Sequence, residues 1–130
     1  MLRALVIAAM VLATACTVGP RLNRLSFPTN PSGAQASVAT GRATYSGELI
    51  SASDTGFVVL LNAGNRLVFV PAAMVRRVNV ESLGGMSMPL RSRSLERVRL
   101  VSRHPYGIPE PAQAQMLRAT GQTEIQRIEP

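Results

Sequence analysis

The chain has 130 residues, a length that fits one small domain, and its 14 basic and 7 acidic residues give a net charge of +7. Every basic residue is arginine, and the single cysteine excludes an internal disulfide framework. A basic excess of this kind is compatible with nucleic acid, an anionic membrane or an anionic wall polymer as the partner, although the coding bias of a GC-rich genome also produces arginine without lysine.

The first fifteen residues have the layout of a secretory signal peptide. Arg3 provides a positive start, residues 4–14 are small and apolar, and small residues lead up to Cys16. With the only cysteine at this junction, the segment resembles a bacterial lipoprotein signal. The resemblance implies that the signal is cut just before Cys16 and that this thiol carries a lipid, with palmitate among its acyl chains, which anchors the protein in a membrane.

Two alternatives to the lipoprotein signal stay open. An ordinary signal peptide cut after Ala15 would leave a free thiol, and an uncleaved anchor would need about 20 apolar residues, more than this run provides. In lipoproteins the residue after the cysteine is usually Asp when the protein stays in the inner membrane, whereas Thr17 follows it here. The resemblance therefore implies an outer-membrane protein of the bacterial cell envelope, facing the periplasm.

Residues 16–35 are predicted to be a lipidated N-terminus and a flexible, Pro-rich tether. Pro20, Pro28 and Pro31, interspersed with Gly, Asn and Ser, leave little to bury, so this segment is expected to be extended or disordered. Residues 36–130 are predicted to be the folded domain.

Short β-strands with turn signals begin at about residue 36. The apolar residues 57–61 have no polar face, which favours a strand inside the sheet. Gly47 lies within an earlier strand, where glycine is typical of a bulge or a sharp bend. The predicted segments, in order, are strand 42–52, turn 53–56, strand 57–61, hairpin turn 62–65, strand 66–70, one 3₁₀ turn at 71–74 and strand 75–80.

This succession resembles the small bent barrels of the SH3-like and Sm-like type over residues 36–81. The likeness rests on a bent strand with a central glycine, an apolar hairpin, a one-turn helix and a final strand, carried by Gly47, Glu48, Leu49, Asp54, residues 57–61, Val75 and Val78. The RNA-binding positions of Sm proteins are not matched, because Thr55-Gly56-Phe57 follows Asp54 where the family has asparagine. The resemblance implies the barrel and not the RNA site.

The last third of the chain is predicted to be a loop, a strand, a turn and a short helix. Residues 82–90 form the loop and residues 95–103 the strand, because apolar and arginine side chains alternate there. Residues 104–109 form a rigid turn. Residues 111–120 form the helix, with Pro111 suited to its start and Gly121 to its end, and residues 123–128 add a last strand. The predicted fold class is mainly β, a small bent barrel with a short C-terminal helix.

The best candidate site is an arginine face. On the predicted strand Arg97, Arg99 and Arg103 share one side, and Arg76 and Arg77 begin another strand. Arginine binds phosphate or carboxylate through two parallel hydrogen bonds, so these five residues form a possible anion-binding face. The alternative is a solvated sheet face whose arginines pair with nearby glutamates.

The sequence predicts no catalytic residues, metal site or cofactor. Nucleophilic catalysis needs a base within reach of the nucleophile, but the only histidine, His104, precedes a proline in a turn, and the only cysteine is assigned to the lipid. Glu48 and Asp54 are interpreted as an exposed strand residue and a turn residue. Met86 and Met88 with His104 are the only conceivable soft-metal set, and they are interpreted as exposed or loosely packed.

Together these features predict a lipid-anchored, non-enzymatic binding or scaffold protein of the cell envelope, whose partner is an envelope protein or an anionic envelope polymer. The alternative is an Sm-like nucleic-acid-binding module. That function needs aromatic side chains for base stacking, for which Tyr45 and Tyr106 are the candidates. An accessory to a periplasmic hydrolase would need a cleft carboxylate with a raised pKa.

Overall fold

The computed structural model describes residues 29–130. The predicted signal peptide, Cys16 and residues 16–28 of the predicted tether lie outside the described residues. The described part contains seven strands, two α-helices and one 3₁₀ turn: β1 (Gln35–Thr40), β2 (Thr44–Ala52), β3 (Gly56–Leu61), β4 (Leu67–Pro71), the 3₁₀ turn (Ala72–Met74), β5 (Val75–Val80), β6 (Gly84–Ser87), α1 (Ser92–Val101), α2 (Glu110–Thr120) and β7 (Gln126–Arg127). Neither described helix combines the length and the apolar character needed to cross a bilayer.

The seven strands form one sheet with the order β6-β5-β1-β2-β3-β4-β7. All neighbours are antiparallel except β4 and β7, which are parallel. The mainly-β prediction is confirmed. The hydrogen-bonded ladder is not closed, because β6 and β7 lie at its two ends.

Strand β2 links the two halves of the sheet. Its first half pairs with β1 and its second half with β3, and the register with β3 shifts between Leu49 and Ser51, as at a β-bulge. Gly47 lies where the two pairings overlap, opposite Leu61. A Cβ atom there would lie 2.0 Å from the carbonyl oxygen of Leu60, so only glycine allows this close approach of the two backbones.

Strand β3 is buried on both faces, because two hydrophobic clusters lie on opposite sides of it. Val59 belongs to the main cluster and Val58 to a smaller one. This confirms the prediction that residues 57–61 lie inside the sheet. The main cluster includes Val98 of α1. The smaller cluster is covered by Ile108, Met116, Leu117 and Ile125, so α2 and its flanking segments pack on this side of the sheet.

The predicted C-terminal helix is confirmed together with its boundaries. Helix α2 begins at Glu110, has Pro111 in its first turn, and ends at Gly121 in the left-handed conformation with φ of 72°. Proline fits the first turn because it has no N–H to leave unpaired, and glycine accepts the positive φ at the C-terminus. The predicted 3₁₀ turn is also confirmed at Ala72–Met74.

Two predictions for the segment 82–103 were wrong. The predicted loop contains the edge strand β6, and the predicted strand 95–103 is instead α1 with the two residues that follow it. The alternation of Val98 and Leu100 with arginine fitted a strand, but Leu95, Val98 and Val101 are also spaced three apart, which fits a helix. In the helix Val98 is completely buried, while Leu100 is exposed.

The C-terminal segment borders β4. The side chain of Gln122 hydrogen bonds to the backbone of Leu67 in both directions: its Oε1 accepts from the Leu67 N–H at 2.7 Å, and its Nε2 donates to the Leu67 carbonyl at 3.0 Å. The two residues of β7 then continue along the same edge, and the Ile128 N–H donates to the Phe69 carbonyl. The edge of β4 is therefore paired first with the side chain of Gln122 and then with the backbone of β7.

Candidate binding surfaces

A half-buried ion pair joins β2 to the end of α1. The Glu48 carboxylate accepts hydrogen bonds from Arg103 Nε at 2.8 Å and Nη2 at 2.6 Å, and from the Gly33 N–H at 2.7 Å. The side chains of Glu48 and Arg103 are only 13% and 29% exposed. The expectation that Glu48 is an exposed strand residue was therefore wrong, and Arg103 is bound internally instead of facing a ligand.

The segment that leads into β1 is fastened to the same place. The backbone N–H of Asn30 donates to the Arg103 carbonyl, and its side-chain Nδ2 donates to the carbonyls of Leu100 at 3.0 Å and Ser102 at 2.6 Å. The Ala34 N–H donates to Val101. Contacts with the domain are therefore already present at Asn30, within the segment predicted as tether, and Asn30 lies beside the last turn of α1.

The arginines of α1 are divided by the helical geometry. Arg93 and Arg97 are four residues apart and therefore share one side of the helix, and Leu100, 48% exposed, follows on the same side. We call Arg93, Arg97 and Leu100 the outer face of α1. Arg97 and Arg99, which the strand prediction placed together, lie about 200° apart around a helix. Arg99 pairs with Glu96 at 3.2 Å.

The arginines of β5 do not extend this face in a continuous row. Both Arg76 and Arg77 are exposed, because the register between β1 and β5 shifts next to Thr40 and interrupts the alternation. Their guanidinium groups lie on different neighbours, Arg76 beside Gly41 and Arg77 beside Gly85. The five arginines predicted as one face are thus distributed over α1, β5 and the internal pair with Glu48.

The ends of α1 concentrate positive charge. Arg91 is the N-cap residue, no side chain caps the first turn, and that turn has no acidic residue. The N-terminus of a helix already carries a partial positive charge from the aligned peptide dipoles, so arginines there add to the positive potential instead of neutralising it. Among the described residues, Arg99 and Arg103 are the only arginines that form a salt bridge. The exposed arginines of α1 are therefore available to an external anion.

An apolar cleft lies between the 3₁₀ turn and the start of α1. Its volume is about 530 Å³, within the range of small-ligand pockets. Ser53 and Asp54 stand on one side, and the remaining walls are almost entirely apolar, formed by Phe57, Ala72, Ala73, Val75, Met88, Pro89, Leu90 and Leu95. Such a cleft suits an apolar side chain or a short apolar segment. The sequence analysis did not predict this cleft, because its lining comes from three segments that are far apart in the chain: residues 53–57, 72–75 and 88–95.

The single histidine is buried at the junction of α1 and α2. His104 is 7% exposed, and its Nδ1 has no hydrogen-bond partner in the described part of the chain. Burial lowers the pKa of His104 below its usual 6.5, the nearby Arg103 lowers it further, and Glu48 opposes this shift. His104 also lines a cavity of about 380 Å³ together with Asn30 and Met116.

Residues 29–130 contain no cluster of three or more His, Cys, Asp or Glu side chains arranged to hold a metal ion. Of the residues weighed for a soft metal, Met86 and Met88 pack against the main hydrophobic cluster. This corrects the expectation that they are exposed or loosely packed. Asp54 lies at the cleft described above, in the turn where the sequence placed it. Comparison with protein-family models, curated proteins and solved structures found no match to the chain.

Proposed function

We propose that this chain is a lipid-anchored protein of the bacterial cell envelope that acts by binding and not by catalysis. The observation that carries the binding function is the apolar cleft beside α1, which has the volume of a ligand site and whose one ionisable side chain is Asp54. A single carboxylate without a neighbouring base or acid suits recognition of a partner better than acid–base chemistry. A partner that enters the cleft is an envelope protein with an apolar segment, whereas an anionic envelope polymer would bind the exposed arginines of α1 instead.

The cellular location in this proposal rests on Cys16. The only cysteine follows an apolar run with a basic start, and a lipid on its thiol would account for that position. An outer-membrane location facing the periplasm follows from the resemblance to lipoprotein signals with Thr17 after the cysteine.

The proposed fold family is that of the SH3-like and Sm-like barrels. Its support is the order of elements: β1 to β4 are successive antiparallel neighbours, a 3₁₀ turn separates β4 from β5, and β5 returns to pair with β1. The division of β2 between two partner strands, with Gly47 where the two pairings overlap, belongs to the same pattern. We propose that α1, α2, β6 and β7 are additions to such a barrel.

The test of the anchor is the intact mass of the protein recovered from fractionated cells, with Cys16→Ser as the matched variant. A membrane-bound species that begins at residue 16 and carries added acyl mass, both lost in Cys16→Ser, is the expected result. A soluble species of full length would contradict the anchor and the envelope location.

The test of the cleft is site-specific photo-crosslinking in intact envelopes. A crosslinking residue in place of Ala73, which is exposed and lines the cleft, should give a discrete adduct. The same residue in place of Arg42, which is exposed in the turn between β1 and β2, is the control. Equal adducts at both positions, or none at Ala73, would remove the cleft as the binding site.

The nucleic-acid alternative has one observation in its favour. Tyr106 is 58% exposed and lines a shallow pocket with Arg99, a pairing that could stack a base and contact a phosphate. The other candidate, Tyr45, packs against the main hydrophobic cluster. A cytoplasmic location in the fractionation experiment, together with loss of single-stranded RNA binding in Tyr106→Ala, would favour this alternative over the envelope protein.

A further inference from the structure

We propose that the outer face of α1 lies on the anionic headgroup surface of the membrane that holds the lipid of Cys16. This inference deepens the proposed function and relies on the proposed lipid attachment for the position of the membrane. The partner is phospholipid phosphate at the surface of the bilayer. The face would thereby orient the domain, so that the tether is not its only connection to the membrane.

The positions of the arginines in α1 lower the stability of the helix. Arg93 and Arg97, four residues apart, repel each other, and Arg91 and Arg93 stand at the positive end of the helix dipole. Neither Arg93 nor Arg97 has a carboxylate partner within the described residues. Phosphate groups on a surface would remove both penalties, since each guanidinium can bind a phosphate through two hydrogen bonds.

An apolar side chain completes the face. Leu100 follows Arg97 on the same side of the helix and is 48% exposed, one of the two large apolar side chains that are exposed among residues 29–130. At a membrane surface a leucine enters the boundary between headgroups and acyl chains, while neighbouring arginines extend their guanidinium groups towards the phosphates. A soluble polyanion would offer the arginines the same charges but would give Leu100 no apolar contact.

The path of the chain places this face close to the anchor. Asn30 is hydrogen bonded to the carbonyls of Leu100 and Ser102, so the segment that leads back to Cys16 departs from the same end of α1. Fourteen residue steps separate Cys16 from Asn30, and the covalent chain limits the distance between them to at most about 50 Å. The outer face of α1 is therefore held within reach of the bilayer, where even weak contacts are favoured by the high effective concentration.

The test is a vesicle-binding measurement on the chain that begins at residue 16 and carries Cys16→Ser, so that neither the apolar signal nor an acyl chain masks the contribution of the face. The variant pair is Arg93→Gln with Arg97→Gln. The control pair, Arg42→Gln with Arg66→Gln, changes the net charge by the same amount at two exposed turn positions. Vesicles of phosphatidylglycerol mixed with phosphatidylcholine are compared with vesicles of phosphatidylcholine alone, at low and at physiological salt.

We expect the Arg93/Arg97 pair to weaken binding to the anionic vesicles by roughly thirtyfold, since each arginine near an anionic surface contributes a factor of about five. The control pair should weaken it less than fivefold. Equal losses in the two pairs would show that only net charge matters and would overturn the proposal, as would no loss in either. Binding of soluble polyphosphate that depends on Arg93 and Arg97, without binding to anionic vesicles, would overturn it in favour of a polymer.

The result is independent of the mass measurement on Cys16. Vesicle binding that depends on Arg93 and Arg97 in a protein found without acyl mass in cells would remove the anchor and keep the surface site. Acyl mass with unchanged vesicle binding in the Arg93/Arg97 pair would keep the anchor and remove the orientation by α1. A Leu100→Ser variant adds a further criterion, because it should weaken vesicle binding and leave polyphosphate binding unchanged.

Discussion

The two helices of this domain differ in the charges at their N-termini. Helix α2 has Glu110 and Pro111 in its first turn, Arg118 in its last turn and Gly121 as a left-handed cap, so each terminal residue complements the dipole or the backbone. Neither helix has a side-chain cap at its N-terminus, but α1 starts from Arg91 and has no acidic residue in its first turn. It is held by what it packs against: Val98 is completely buried, and residues beside its last turn bind Asn30 and Glu48.

The difference separates local stabilisation from tertiary stabilisation. Helix α2 can be recognised from its own residues, because these satisfy its ends. Helix α1 forms where burial and ion pairing compensate for an unfavourable N-terminus. It contains three arginines and α2 only one, and the following variants test the comparison.

The largest effect is expected from truncation of the buried side chain of α1. Val98→Ala should lower the free energy of unfolding by about 2–3 kcal/mol, since it removes two methyl groups from a fully buried position and leaves a cavity. Met116→Ala on α2, where the side chain is only partly buried, should cost about 1 kcal/mol. Urea denaturation measures both. Equal losses would show that α1 does not depend on tertiary packing more than α2 does.

A smaller loss is expected from the ion pair that holds the end of α1. Glu48→Gln should destabilise the domain by about 2 kcal/mol, below the usual cost of breaking a fully buried pair because Arg103 keeps some solvent contact. The control is Glu96→Gln, which breaks the exposed pair with Arg99 and should cost less than about 0.5 kcal/mol. A double-mutant cycle with Arg103→Gln should show strong coupling to Glu48. Additive effects would contradict a structural role for the pair.

Substitutions at the N-terminus of α1 and at the C-terminus of α2 should change the free energy of unfolding in opposite directions. Arg91→Asp supplies a cap and a favourable charge at the start of α1 and should raise the free energy of unfolding by about 1 kcal/mol. Gly121→Ala forces a side chain into a positive φ at the end of α2 and should lower it by about 1 kcal/mol. Thermal melting distinguishes the two. A destabilising Arg91→Asp would mean that Arg91 contributes to the fold.

The smallest effect concerns the pH dependence of the junction between the helices. Burial and Arg103 lower the pKa of His104, so below pH 6.5 the unfolded chain binds the proton more readily than the folded one. Stability should therefore fall as the pH drops below 6.5. In His104→Gln this part of the decline should be absent, as measured by the change in Tm between pH 7.5 and pH 5.5. Parallel curves for the two proteins would exclude His104 as the source.

The elements that the sequence predicted well are those specified by nearby residues. The apolar residues 57–61 have no polar face, which favours a strand buried on both faces, and the turn residues after them predict the hairpin to β4. Likewise, Pro111 and Gly121 mark the two ends of α2. Local signals of this kind do not depend on what the rest of the chain does, so the mainly-β class and the C-terminal helix could be predicted.

The parts that were mispredicted depend on distant contacts. The segment 95–103 fits both a strand and a helix in its apolar spacing, and the packing of Val98 in the main cluster favours the helix. The role of Arg103 depends on Glu48, 55 positions away in the chain. A strand assignment placed Arg97, Arg99 and Arg103 together, whereas the helix and the ion pair separate them. The candidate surface therefore changed even though its residue types were correct.

The two hydrogen bonds between Gln122 and Leu67 also bear on aggregation while the chain is folding. The outer edge of β4 has unpaired backbone groups until Gln122 and β7 pair with it. Both Gln122 and β7 follow the two helices in the sequence, about 55 residues after β4. Contacts between such distant residues form late in folding, since a long loop must close first. During that interval the exposed edge can pair with the same edge of another molecule. By occupying the backbone groups of Leu67, Gln122 closes part of this edge to other molecules. It thereby reduces aggregation of newly made protein, most of all when many copies fold at the same time.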